Sequence, residues 1–227
     1  MLSNKLNELK RMLLDEAAYV EKMVIISMNA IQRGYECNLD SVLSYEDKVN
    51  KLELEIERFC TNIIALYQPE AIDLRTVLMT YKINNDLERL ADQAVNIAES
   101  ANSICGEPIG DYLPQIICMK KKAIQMLHKS ISAFIDRNID LARQVCLEDN
   151  AVDELNRTLH NTLIDLMKDR PGYIDSYLHL MRISKNLERV ADLSTNIAEN
   201  TIFLASGKVV KHHIDETDPE NEKKIIG

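Results

Sequence analysis

The 227-residue chain carries 36 Asp plus Glu against 27 Lys plus Arg, a formal net charge of -9. That average field repels a polyanion, and the one short basic run, Lys120-Lys121-Lys122, is too small to reverse it, so no nucleic-acid partner is expected. Only 6 Gly, 5 Pro, 3 Phe and no Trp leave few turn and strand formers, which points to an all-α protein.

In chain order, Leu2, Leu6, Leu9 and Leu13 recur at helical spacing between Lys5, Lys10 and Arg11. They predict a first helix over 3–33 whose apolar stripe enters the core; the same basic amphipathic pattern also suits a membrane surface. Gly34 ends it. A second helix over 39–67 stops at Pro69, and a third over 71–104 stops at the cluster Gly106, Pro108, Gly110 and Pro114. A fourth over 112–136 breaks at "DRNID", where Asn138 can end one helix and Asp140 can cap the next. A fifth over 140–168 is closed by Pro171-Gly172, and a sixth over 173–206 by Gly207. No stretch is apolar for long enough to span a bilayer, and the start lacks a secretory pattern. Cys37, Cys60, Cys105, Cys118 and Cys146 are scattered and never spaced Cys-x-x-Cys, which fits buried thiols in a reducing compartment.

The Gly/Pro cluster divides six helices into three plus three, and long helices on short loops pack antiparallel. The expected architecture is two tandem three-helix bundles placed end to end, over 1–107 and 108–206. A polar, mobile tail over 207–227 is expected to follow. Each half closes on nearly the same segment: "NDLERLADQAVNIAES" from Asn85 and "KNLERVADLSTNIAEN" from Lys185. This is an internal duplication.

The duplicated letters are mainly polar. At about 100° per residue, Leu87, Leu90, Ala91, Ala94 and Ala98 form an apolar stripe, whereas Glu88, Asp92, Asn96 and Glu99 form a separate polar one. Glu188, Asp192, Asn196 and Glu199 repeat the polar stripe. A solvated face accepts almost any polar residue, so packing does not explain the repetition. Stacking Glu88 over Asp92 costs a few tenths of a kcal/mol in like-charge repulsion. Carboxylates one turn apart can instead share a cation, as hard oxygen ligands; the competing reading is a hydrated acidic face balanced by Arg89 and Arg189.

Reflection about the interhelix turns strengthens the first reading. A hairpin about Pro69 sets Asn50 beside Glu88 and Glu46 beside Asp92. The hairpin about Pro171 sets Asp153 beside Glu188 and Asp149 beside Asp192. Each seam then presents two facing i, i+4 pairs, the arrangement of a metal cradle.

The segments "PEAIDLRTVLMTYKINNDLERLADQAVNIAE" from Pro69 and "LERVADLSTNIAE" from Leu187 resemble the PhoU family of phosphate-uptake regulators, and the likeness runs over about residues 3 to 206. The resemblance implies a cytoplasmic protein lying peripherally against the inner membrane. There it would dampen phosphate-starvation signalling by linking a phosphate ABC transporter to a sensor histidine kinase. It also implies divalent or multinuclear metal (Fe, Mn, Mg or Zn) on Glu/Asp-x-x-x-Asp motifs. These map onto Glu88 and Asp92, Glu188 and Asp192, and Asp149 and Asp153, with Asn96, Glu99, Asn196 and Glu199 in support. A homodimer is expected. Asn50 departs from the pattern, because an amide brings no charge and should ligate more weakly. Asp73 and Arg75 are either part of a partner surface or, respectively, a helix cap and a structural ion partner.

Two other classes stay open. A carboxylate-bridged di-metal oxidase would use Glu-x-x-His, which the sequence lacks. A purely structural helical scaffold explains the periodicity but not the doubled acidic stripe.

Overall fold

The computed structural model describes residues 2–33, 38–107, 113–207, 210–211 and 214–215. Six α-helices account for nearly all of it: α1 Leu2–Arg33, α2 Leu39–Tyr67, α3 Ala71–Ser103, α4 Leu113–Asp136, α5 Ile139–Asp169 and α6 Ile174–Ser206. A short 3-10 turn over Pro171–Tyr173 leads into α6, and a two-residue antiparallel ladder pairs Val210–Lys211 with Ile214–Asp215. The rest of the tail, and with it the expectation of a mobile 207–227 segment, lies outside the described residues after Gly207.

The boundaries follow from local chemistry. The Asn38 side chain accepts a hydrogen bond from the Ser41 amide at 3.0 Å and starts α2. Gln68, left-handed at φ 45, ends that helix, its amide donating to the Ile64 carbonyl at 3.2 Å. At "DRNID" the roles differ from the sequence expectation. Arg137 takes the left-handed conformation that closes α4, and Asn138 itself caps α5 by accepting from the Leu141 amide. Asp140 sits in the first turn of α5, where its charge favours the helix N-terminus. Gly207 ends α6 at φ 73 with the Arg75 guanidinium beside it, and a side chain there would be strained by the left-handed backbone.

Helices α1–α3 and α4–α6 each form a three-helix bundle, and the duplication holds at the level of burial. Leu13, Val20, Met23 and Ser27 of α1 correspond to Ile116, Ala123, Met126 and Ser130 of α4, all buried. Val42, Val49 and Ile56 of α2 correspond to Val145, Val152 and Leu159 of α5.

The bundles do not stand end to end. Helix α3 runs antiparallel along α6: Arg75 Nε donates to the Leu204 carbonyl at 3.3 Å, Asp86 bonds Asn196, and Arg182 Nη2 donates to Asn96 at 2.8 Å. Lys120 of α4 reaches Asn29 of α1 at 3.1 Å. The result is a side-by-side pair with one continuous core. The reason lies in α3 and α6, whose buried residues occupy more than one stripe: on α3, Thr76, Met79, Ile83, Asp86 and Leu90 on one side and Val77, Thr80, Asn84, Leu87 and Ala91 on the other. A helix buried on two faces must pack against two layers.

Candidate metal centre

In the second bundle, α5 and α6 bring Asp149, Asp153 and Asp192 together with one carboxylate oxygen from each inside a 4.8 Å span. This is the one such trio of Asp, Glu, His or Cys among the described residues. Asp149 and Asp153 share a face because they are one helical turn apart. Asp192 faces them because α6 returns antiparallel after the Pro171 turn. Burial raises the Asp192 carboxyl above its ordinary value, with Glu188 as the next cause and Arg189 opposing. Glu188 lies one turn earlier and is paired with Lys185. Three carboxylates in one small volume, with a fourth alongside, form a hard-oxygen donor set that fits a divalent cation.

The first bundle is built differently. Burial, then Asp92, raises the Glu46 carboxyl, with Asp47 and Glu99 adding to it. Burial and Asp92 likewise raise Glu88, which also feels Glu53 and Glu46. Asn50 is exposed on α2. Besides Glu46, a second α2 acid reaches Glu88 and Asp92: Glu53, a residue the reflection about Pro69 passes over. A second omission is Glu16 of α1, fully buried and within the field of both Glu53 and Glu88. Burial, reinforced by those two carboxylates, pushes it up to about 9. Its signal was present in the sequence: Glu16 continues the apolar stripe Leu6, Leu9, Leu13, where a charged residue is out of place.

The supporting residues divide. Asn96 donates to the Asp92 carbonyl at 3.0 Å and accepts from Arg182; Glu99 pairs with the same arginine at 3.5 Å while adding to the field on Glu46. Asn196 bonds Asp86, and Glu199 lies beside it on the α3–α6 seam. These four therefore belong to the joint between bundles as much as to the acidic faces. Asp73 sits in the first turn of α3, whose cap is Glu70, and Arg75 secures the end of α6.

The PhoU domain family matches this chain twice, over residues 13–101 and 116–201. This chain belongs to the PhoU family. The phosphate-specific transport system accessory protein PhoU homolog of Clostridium acetobutylicum is 34% identical over 211 residues, covering 92% of this chain and 96% of that protein. The homolog of Aquifex aeolicus is 36% identical over 216 residues, covering 95% and 98%. Among solved structures, PhoU from Pseudomonas aeruginosa superposes with a TM-score of 0.87 at 30% identity, covering 91% of this chain and 100% of that one. The PhoU of Streptococcus pneumoniae gives 0.85 at 25% identity, covering 93% and 100%. The two PhoU matches fall within α1–α3 and α4–α6 respectively, so each carries one of the two acidic faces.

Proposed function

We propose that the chain is a regulatory accessory protein of a phosphate-specific transport system, working by contact and assigned no catalytic role. Divalent cations in its acidic clefts would form part of the contact surface. The descriptions of its relatives support the first part. The convergence of Asp149, Asp153 and Asp192 is the observation that carries the second. These three, with Glu188, would hold an ion in the second bundle; Glu46, Glu53, Glu88 and Asp92 would do so in the first. A bound Fe, Mn, Mg or Zn ion supplies positive charge that offsets carboxylate repulsion and lets an acidic face approach an anionic partner.

In this reading a dimer lies against the cytoplasmic face of the membrane. There it couples the phosphate ABC transporter to a sensor histidine kinase and dampens starvation signalling. No described helix is long and apolar enough to cross a membrane, so attachment would run through surface contact. An oxidase-type site would need histidine beside the carboxylates, and His128, His160 and His179 join no such acidic group among the described residues.

A strain lacking this chain tests the proposal. Its phosphate-starvation reporter should be on in phosphate-replete medium; the wild-type chain should silence it, and an Asp153→Asn, Asp192→Asn variant should not do so fully. A wild-type chain without effect on the reporter overturns the regulatory reading. A variant equal to wild type, with no metal in either purified protein, overturns the metal reading.

A further inference from the structure

Two lysines of the first bundle share one pair of aromatic rings. Tyr19 of α1 and Tyr45 of α2 stand with ring centroids 5.7 Å apart, tilted by 36°. Lys22 Nζ lies 5.9 Å from the Tyr19 centroid and 5.8 Å from that of Tyr45. Lys48 Nζ lies 5.4 Å and 4.7 Å from the same two. The tyrosines are half-buried and the lysines exposed. Among the described residues neither ammonium belongs to an ion pair. Their own helices offer no acid within reach: three and four residues from Lys22 stand Ala18, Tyr19, Ile25 and Ile26. Around Lys48 the same positions hold Ser44, Tyr45, Lys51 and Leu52. The acids next in sequence, Glu21 and Asp47, leave their helices about 100° away. Two like charges therefore converge without an anion in a chain whose carboxylates outnumber its cations. The duplication does not require this. The match of Val20 with Ala123 and of Val42 with Val145 puts Lys122, Gln125, Glu148 and Ala151 in the places of Tyr19, Lys22, Tyr45 and Lys48. There Glu148 pairs with Lys129, so the second bundle carries its own anion where the first has Tyr45.

A cation over an aromatic ring is held by the electron-rich face and keeps its N–H donors free, whereas a salt bridge would use them. We infer that Lys22 and Lys48, positioned over Tyr19 and Tyr45, form a binding site for a phosphoryl dianion, of which inorganic phosphate and pyrophosphate are the simplest. Charge selects that class, because one dianion answers both ammonium groups and a single carboxylate answers only one. Shape selects it too: lysine presents a compact charge with three rotatable donors, while a planar carboxylate is matched best by the arginine fork. The anion would join α1 to α2 at a half-buried, open face, which a hydrated ligand can enter and leave. The inference deepens the proposed regulatory role, on which its biological meaning rests, by giving the accessory protein a direct phosphoryl ligand. It involves neither the acidic clefts nor a metal.

The test is calorimetric titration of the full chain with phosphate, pyrophosphate and acetate at low salt, in EDTA so that no cation in the acidic clefts can bridge to the anion. Wild type should bind pyrophosphate at one site and acetate at least about tenfold more weakly. A Lys22→Gln, Lys48→Gln variant should lose at least about tenfold in pyrophosphate affinity. Tyr45→Glu should lose as much, because it installs the carboxylate that the second bundle carries in that place and gives the lysines an internal anion. Lys121→Gln, which removes an exposed charge from α4, should bind as wild type does. Circular dichroism and urea unfolding establish that each variant is folded. No pyrophosphate binding by wild type overturns the inference, as does equal binding by the folded double variant or equal affinity for acetate. Retention on phosphatidylglycerol vesicles with no affinity for the soluble anions also overturns it and assigns the lysines to a lipid headgroup. Binding is read on the isolated chain, so a chain that takes pyrophosphate but leaves the starvation reporter on overturns only the regulatory reading.

Discussion

Replacing Asp192 with Asn should change the sign of its effect on stability with the metal content of the buffer. Two unit charges at 4.8 Å, the span of the Asp149, Asp153 and Asp192 oxygens, repel by about 1 kcal/mol at the dielectric of water and by about 3–4 kcal/mol at an effective value near 20. The Asp192 side chain is 35% exposed, so the lower figure applies, reduced further by salt. Against this stands the Arg189 contact at 3.3 Å, a surface pair contributing roughly 0.5 kcal/mol. Asp192 faces two carboxylates, Asp149 and Asp153, so the repulsion counts twice and the balance in chelator is a gain of about 1 kcal/mol for Asp192→Asn, or roughly 2–4 °C in Tm for a chain of this size. With Mn2+ at a hundred times its Kd, wild type gains about 2.7 kcal/mol and the variant much less. The order should therefore invert, wild type becoming the more stable. Thermal unfolding followed by circular dichroism, in EDTA and in MnCl2, reads both arms. A variant less stable in both buffers would mean that Asp192 serves the fold through its hydrogen bonds. A variant more stable in both would mean that the acids repel and nothing joins them.

Asp86 gives a second stability test, on the α3–α6 seam. Burial raises its carboxyl from 3.8 to about 6, against the opposing pull of Arg89 and Asn196. Its contribution is therefore fully favourable below about pH 4 and is lost as pH rises through about 6, an effect of at most about 3 kcal/mol. Asn186 occupies the equivalent place in α6, so Asp86→Asn should fold; in chelator it should match wild type near pH 4 and exceed it at pH 8 by urea unfolding. Equal stability at pH 8 contradicts the assignment. Arg182→Ala removes the contacts to Asn96 and Glu99 across the same seam and should cost about 0.5–1 kcal/mol, since the pair is half exposed; no change in urea midpoint would show that the seam does not depend on it. Burial pushes the Cys60 thiol up to about 12 and the Cys146 thiol up to about 11, whereas Cys118 is exposed. A disulfide reagent should therefore modify Cys118 rapidly in the native chain, Cys118→Ser should remove one fast equivalent, and Cys60 and Cys146 should react only on unfolding. Fast labelling of Cys60 would contradict its burial.

The helices were legible because every break carries its own chemistry: Pro69, Pro171-Gly172 and Gly207 end periodic runs wherever they occur. The cap at Asn138 was misassigned by a residue or two because Asn suits both the end of one helix and the start of the next. The side-by-side joint was missed because hydrophobic periodicity reports that a face is buried, not what covers it. The double-sided burial of α3 is nonetheless written in Met79, Ile83 and Leu90 on one side and Val77, Leu87 and Ala91 on the other. At the sites, reflection about a turn gives the height of a side chain along a hairpin but not the rotation of the helix. It therefore brought Asp149, Asp153 and Asp192 together in the second bundle, but in the first it favoured the exposed Asn50 over Glu53. Glu16 was invisible to the repeat, because the duplication does not preserve it.

Anomalous diffraction from crystals equilibrated in MnCl2 tests the central claim most directly. A manganese peak is expected among the carboxylate oxygens of Asp149, Asp153 and Asp192. Saturating Mn2+ with no peak there, and the three carboxylates turned apart into solvent, would contradict it.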